Sequence, residues 1–103
     1  MPYLILAHDH AGMEAKREEV RDAHRTYLAA QGRKLLASGA LLAPDGMTVI
    51  GETSLFDTED YEEAARFESD DPYAMAGIRA RVEIVNWRLR WWLGEFNVSG
   101  HRP

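Results

Sequence analysis

The first apolar segment of the chain, residues 3–8, predicts a β-strand. Both alternating sets of its side chains are apolar, one set beginning at Tyr3 and the other at Leu4. Strands with this pattern are usually covered on both faces. We therefore expect a packing layer on each side of the sheet at this strand.

Apolar positions change to helical spacing at Met13, which predicts a long amphipathic helix on residues 13–38. His24 lies on the apolar stripe of this helix, whereas most charged residues lie off it. Gly32 weakens a helix by about 1 kcal/mol relative to alanine, but the stripe continues beyond it. Gly39 is placed to end the helix in the left-handed conformation.

Two short apolar segments, residues 40–43 and 48–56, predict a pair of strands. The intervening Pro44, Asp45 and Gly46 predict a turn, because proline presets φ and glycine accepts a positive φ. The two strands should therefore form a β-hairpin.

A second helix of about three turns is predicted after the hairpin, with Asp57 or Thr58 as its N-cap and its end before Asp70. The last strand is predicted on residues 80–92, and its apolar phase shifts between positions 84 and 85. Either a β-bulge or a change from packing on the chain's own helices to packing on a second subunit explains this shift.

The elements follow the order β-α-β-β-α-β, which predicts an α+β fold of the ferredoxin-like type, with a four-stranded antiparallel sheet and two helices on one face. The helix-free face needs a cover, and a second copy is the simplest one, so we expect a homodimer. We assign residues 1–93 to one domain and residues 94–103 to a C-terminal tail, which we expect to be partly mobile.

Composition supports a folded domain, since 46% of the 103 residues are hydrophobic and 28% are charged. The net charge of −5 and the scattered basic residues argue against nucleic acid as a partner. No apolar run approaches the roughly 20 residues of a membrane span. The absence of cysteine excludes disulfides and thiolate chemistry and suits a reducing compartment, so we expect a cytoplasmic protein.

His24 is the first candidate for chemistry, because its unperturbed pKa lies near operating pH and a carboxylate such as Asp71 would orient its ring. A core histidine bonded to a backbone carbonyl is the structural alternative. The two alternatives differ in a testable way: a purely structural His24 leaves buried partners unpaired when it is replaced by leucine, whereas a functional one is expected to cost little stability. Asp71 precedes Pro72, so capping a short helix explains it without chemistry.

Arg21 precedes His24 by one helical turn and could bind a substrate carboxylate or enolate, although an arginine on a charged helix more often forms a surface pair with an acid such as Glu18 or Asp22. His8 and Asp9 follow the first strand and could line a pocket mouth, where polar residues also occur by default. His8 and His10 are too few for a metal site, so we expect no metal.

Aromatic residues could provide a surface for a planar ligand, although tryptophans on a closing strand more often fill a core or an interface. Tyr73, Trp87, Trp91 and Trp92 form this set. Glycine-rich phosphate loops, Gly-x-Ser-x-Gly elbows and nucleotide-binding motifs do not occur, so kinases, serine hydrolases and dehydrogenases have no support.

Three segments in this order resemble the YciI-like (YCII-related) family: residues 21–24 (Arg-Asp-Ala-His), 38–42 (Ser-Gly-Ala-Leu-Leu) and 71–78 (Asp-Pro-Tyr-Ala-Met-Ala-Gly-Ile). The resemblance extends over residues 3–88 as a whole. The resemblance implies a dimeric α+β barrel whose pocket carries a histidine of the first long helix and the aspartate of the Asp-Pro-Tyr segment. These correspond to His24 and Asp71. Relatives of this barrel include cofactor-free monooxygenases, isomerases and a dehydrochlorinase of aromatic catabolism.

The leading hypothesis is a cofactor-independent enzyme in which His24, with Asp71 and Arg21, moves a proton on a small aromatic or enol-type acid. His8, Asp9 and Tyr73 are the candidate substrate-binding residues. The alternative hypothesis is a non-catalytic module that holds a metabolite in the same pocket. Neither hypothesis needs a cofactor.

Overall fold

A computed structural model describes residues 1–97. The main elements are β1 (Tyr3–Asp9), α1 (Glu14–Ala30), β2 (Leu35–Leu42), β3 (Val49–Phe56), α2 (Tyr61–Ser69), α3 (Pro72–Met75), β4 (Arg79–Asn86), β5 (Trp91–Trp92) and β6 (Glu95–Phe96). The first four long strands form an antiparallel sheet in the order β2-β3-β1-β4. The ferredoxin-like α+β fold is therefore confirmed, with α3 as an additional short helix. None of the described helices is long and apolar enough to span a membrane.

The apolar core lies between the sheet and α2. Ile5 of β1, Phe56 of β3, and Ala64 and Phe67 of α2 are buried there. The rings of Phe56 and Phe67 stack with their centroids 4.4 Å apart. The half-buried Tyr27 of α1 packs against this cluster. The apolar core fills the space between α2 and the sheet, and the polar side chains lie between α1, α3 and the sheet.

The first helix ends eight residues earlier than predicted. Gly32 adopts a φ of +60°, a left-handed conformation that ends α1. A single turn of 3₁₀ helix, Gly32–Lys34, follows, and β2 begins at Leu35. Residues 35–38 therefore belong to a strand, and Gly39 lies inside that strand rather than at a helix end. Their apolar run fits either element, and the left-handed conformation of the first available glycine decides between them.

The hairpin of β2 and β3 is confirmed, with Gly46 at a φ of +71° in its turn. Asp45 stabilises the turn, because its Oδ1 accepts hydrogen bonds from the backbone amides of Met47 and Thr48. The second helix starts later than predicted, since Asp60 is its N-cap. Thr58 instead accepts a hydrogen bond from the amide of Asp60.

The last long strand ends at Asn86 and not at position 92. Asn86 pairs with Tyr3, and the amide of Trp87 donates to the carbonyl of Pro2, so β4 stops where its partner strand has no further residues. Pairing is regular at positions 84 and 85, and the irregularity lies instead at His8 and Asp9 of β1.

The segment after β4 turns over the helix-free face of the sheet. The half-buried Trp92 and the exposed Trp87 line a groove on this face together with Leu4 of β1 and Leu55 of β3. The hairpin of β5 and β6 spans the predicted start of the tail, and in it Glu95 pairs with Trp92 and Phe96 pairs with Trp91. Residues 98–103 lie outside the described part of the chain.

Candidate active site

The side chain of His24 projects from α1 into a buried site, where each ring nitrogen faces a carboxylate. Nδ1 lies 2.7 Å from Oδ1 of Asp71, and Nε2 lies 3.0 Å from Oε2 of Glu52. The imidazole stacks on Tyr73, with a centroid separation of 3.8 Å and an angle of 12° between the planes. Side chains from β3 and from α3 with its N-cap therefore fix the position and the orientation of the ring.

The local sequence explains how these partners reach His24. Asp71 is the N-cap of α3, and the same Oδ1 that contacts His24 also accepts a hydrogen bond from the amide of Tyr73. Capping and orientation of the histidine thus use one oxygen atom. Glu52 lies two and four residues before the buried Ser54 and Phe56 of β3, so the three side chains share the helix-covered face of the sheet.

The protonated form of the His24 ring is favoured. Burial alone would lower its pKa, but the hydrogen bonds and charges of Asp71 and Glu52 outweigh burial and raise the pKa from 6.5 to about 9. Burial acts to raise the pKa of Glu52, but hydrogen bonds from His24 and Arg79 hold it below its ordinary value. The pair is therefore an imidazolium beside a carboxylate at neutral pH.

Arg79 connects this pair to further acids. Its Nε donates to Glu68 over 3.2 Å, and its two terminal nitrogens donate to Asp9 over 3.2 Å and to Glu52 over 2.9 Å. Burial is the main reason that the pKa of Glu68 is raised to about 7, although Arg79 acts to lower it. We call the seven side chains Asp9, Arg17, His24, Glu52, Glu68, Asp71 and Arg79 the charge cluster.

A cavity of about 480 Å³ opens beside the charge cluster, between α1 and strands β2 and β3. His24, Glu52 and Tyr73 form one wall of this cavity. The remaining lining residues are Arg17, Arg21, Arg25, Leu28, Ser38, Gly39, Ala40 and Val49. Its volume suits a small metabolite.

The predicted site residues are only partly brought together. His24, Arg21 and Tyr73 line the cavity, whereas Asp71 lies behind His24 and does not line it. Arg21 forms an ion pair with Glu18, as the structural alternative for this residue expected.

The two residues at the end of β1 lie on opposite sides of the sheet. Asp9 is buried and binds Arg17 through Oδ2 at 2.6 Å, so it supports the cavity wall without lining the cavity. His8 continues the helix-free face, where its Nε2 lies 3.7 Å from Glu83. His8 is not among the residues that line the cavity, because successive side chains of a strand lie on opposite faces of the sheet.

Sequence reasoning missed four members of the charge cluster. Signals existed for two of them: Glu52 is a charged residue at an inward position of a predicted strand, and Arg17 precedes His24 by two helical turns on the same face. Glu68 and Arg79 gave no comparable signal, because their pairing depends on contacts between separate elements.

Within residues 1–97, the structure brings together one group of potential metal ligands, which the sequence did not predict. His24, Glu52 and Asp71 each offer one ligand atom, and these atoms lie within 4.8 Å of one another. The two carboxylates face different nitrogens of the ring, however, and Arg79 donates to one carboxylate and lies 3.6 Å from the other. This donor set fits shared protons better than a cation, because a metal would compete with both the imidazolium and the guanidinium.

The solved structures that match this chain include the following two. The 5-chloro-2-hydroxyhydroquinone dehydrochlorinase of Burkholderia phenoliruptrix, in complex with 2,5-dihydroxybenzoquinone, has a TM-score of 0.75 and 25% identity, covering 84% of this chain and 93% of that one. A protein from Arabidopsis thaliana has a TM-score of 0.43 and 13% identity, covering 82% and 89%. No curated protein sequence matches the chain. Residues 1–88 match the family model of the YCII-related domain, and the chain therefore belongs to this family, as the sequence motifs indicated.

Proposed function

We propose that this protein is a cofactor-independent enzyme that moves a proton on a small aromatic or enol-type metabolite, in the manner of a lyase, isomerase or dehydrochlorinase. The observation that carries the proposal is the pairing of His24 Nε2 with Glu52 Oε2 in the wall of an open cavity. An acid and a base stand side by side there.

The ionisation of the pair supports proton transfer in both directions. His24 holds a proton at Nε2 that a ligand oxygen could accept, and the Glu52 carboxylate could accept a proton from an acidic O–H or C–H of the ligand. If both transfers occur, the pair keeps its total number of protons, and no external cofactor is required.

Neighbouring side chains would keep the ring in place during these transfers. Asp71 orients Nδ1, and Tyr73 covers one face of the imidazole. Arg17 lies with its guanidinium carbon 4.6 Å from the centroid of the Tyr73 ring and is held by Asp9. These contacts leave the ring little freedom to rotate, which is a requirement for efficient acid–base catalysis.

The choice of ligand chemistry rests on the dehydrochlorinase. That protein is named for a chlorinated hydroxyquinol and was solved with a dihydroxyquinone, and it shares 25% identity and the fold with this chain. A planar ring with exchangeable hydroxyl protons also fits the size of the cavity.

The test uses 5-chloro-2-hydroxyhydroquinone under nitrogen, with chloride release and exchange of ring hydrogens with D₂O as readouts. Wild-type protein should accelerate at least one of these reactions, and His24→Gln and Glu52→Gln should slow it by about 10²–10⁴-fold, the usual contribution of a general acid or base. An unchanged rate in His24→Gln would contradict the assignment.

A non-catalytic binding module remains the second candidate, and a specific observation favours it. Both nitrogens of His24 already have carboxylate partners, so a ligand must displace Glu52 before it reaches Nε2. Under this alternative, 2,5-dihydroxybenzoquinone binds in the cavity, no reaction is accelerated, and His24→Gln leaves binding within about twofold of the wild-type value.

We also propose that the protein acts as a homodimer in the cytoplasm, joined through the helix-free face. Val85 and Trp87 are 46% and 40% exposed on this face, beside the half-buried Leu4 and Leu6. Light scattering at micromolar concentration should give the mass of two chains. Leu6→Asp should abolish the dimer or the solubility, whereas Met75→Asp, at an exposed position of α3, should do neither.

A further inference from the structure

A row of arginines borders the cavity beneath α1. Arg17, Arg21 and Arg25 follow one another at four-residue spacing, so their side chains stand one helical turn apart on the same side of the helix. Like charges at this spacing destabilise a helix unless they are compensated. The three residues differ in how they are compensated.

Arg17 is committed to the protein itself. It is buried, its Nε donates to Asp9 over 2.6 Å, and its guanidinium covers the ring of Tyr73. We therefore regard Arg17 as a fixed part of the wall.

The other two arginines are available to a ligand. Arg21 pairs with Glu18, but the side chains are 38% and 69% exposed, and pairs this exposed contribute little and exchange readily. Arg25 is exposed and forms no ion pair within residues 1–97. An anion placed between these two residues would relieve their mutual repulsion and replace a weak surface contact with two charge-assisted hydrogen bonds.

The charged side chains that line the cavity are mainly basic, although the chain as a whole has a net negative charge. The net charge of the protein is −5, yet the charged lining consists of Arg17, Arg21, Arg25 and His24 against Glu52. The apolar part of the lining includes Leu28, Ala40 and Val49. A cationic rim beside an apolar wall fits an organic acid better than a neutral or a cationic metabolite.

We propose that the ligand of this cavity is an organic anion, whose carboxylate or enolate is bound by Arg21 and Arg25 while its apolar body lies against Leu28 and Val49. The assignment rests on the proposed function, because it names the charge class of the substrate of that same site. Arg21 and Arg25 are binding residues in this assignment, and proton transfer remains with His24 and Glu52.

The test compares two acids with their neutral counterparts: 2,5-dihydroxybenzoquinone with 2,5-dimethoxybenzoquinone, and benzoate with benzamide. Binding to the full-length protein is followed by NMR, with the amide of Gly39 in the cavity wall as a local reporter. The variants are Arg21→Gln and Arg25→Gln, and Arg33→Gln is the matched control because it removes the same charge outside the cavity.

At least one acid should bind about tenfold more tightly than its neutral counterpart, and each of the two variants should reduce that preference by about three- to tenfold. Arg33→Gln should retain the preference. No preference for the acid in either pair, or a preference that survives both substitutions, would overturn the proposal. Turnover that depends on His24 without any preference for acids would contradict this inference alone, whereas acid binding without turnover would contradict only the proposed enzyme.

Discussion

His24→Leu tests whether the buried imidazole is a cation held by two carboxylates. Leucine fills much of the ring's volume, so the loss of packing is small and the main effect is electrostatic. The substitution leaves Asp71 and Glu52 beside each other with Arg79 as their nearest remaining cation. An uncompensated negative charge then stays in a buried site.

The magnitude follows from the pKa of the ring. The rise from 6.5 to about 9 corresponds to roughly 3 kcal/mol, at about 1.4 kcal/mol per pKa unit, for a side chain that is only 6% exposed. Removing one partner of a buried ion pair costs about 3–5 kcal/mol, which agrees. We therefore expect His24→Leu to lower the free energy of unfolding by about 3 kcal/mol at pH 6.

The pH dependence has a definite sign. Because the folded-state pKa lies above the unfolded value, the contribution of His24 is complete below pH 6.5 and is lost as the pH rises through about 9. The difference in stability between wild type and variant should therefore shrink between pH 6 and pH 10.

Urea unfolding followed by tryptophan fluorescence at pH 6, 8 and 10 measures this difference. His10→Leu is the control, because His10 is exposed in the loop after β1. A loss below about 1 kcal/mol at pH 6, the size of an ordinary neutral hydrogen bond, would refute the reasoning. A difference that grows with pH would refute it as well.

Three further perturbations test other parts of the structure. Glu68→Gln should raise the free energy of unfolding at pH 8 by about 1–3 kcal/mol. The reason is that the pKa of Glu68 is raised in the folded protein, so the wild type loses stability as the pH rises from 4.5 through about 7. A variant that is less stable than the wild type in urea unfolding would contradict this prediction. Gly51→Ala should cost at least about 1–3 kcal/mol, because a Cβ there would lie 2.1 Å from the carbonyl oxygen of Ala7, and an unchanged melting temperature would disagree. EDTA should leave the melting temperature unchanged, since Asp71 and Glu52 already bind the His24 ring; stoichiometric metal found by elemental analysis would argue otherwise.

The fold was largely predictable from the sequence, because its strands and helices differ in hydrophobic period. The errors occurred where two local signals competed. Gly32 and Gly39 could each end α1, and periodicity alone does not choose between them. The end of β4 depends on the length of its partner strand, which is a property of the sheet and not of the segment.

The centre of the site was predictable for a different reason. His24 was a polar residue on an apolar stripe, and Asp71 was part of a motif that caps a helix. A structural and a functional His24 were alternatives at the level of sequence, but in the structure the same ring is held by two carboxylates and lines the cavity. Arg79 could not be foreseen, because β1, β3 and α2 must be assembled before the three carboxylates that accept its hydrogen bonds meet.

The most direct test of this account is the protonation state of His24, measured by long-range ¹H–¹⁵N NMR of the imidazole rings between pH 5 and pH 10. We expect one histidine to keep both ring nitrogens protonated at pH 7 and to titrate near pH 9, and its signals should be absent from His24→Leu. If the His24 ring is neutral at pH 7, with a pKa at or below 6.5, the imidazolium between two carboxylates does not exist, and the proposed acid–base pair fails with it.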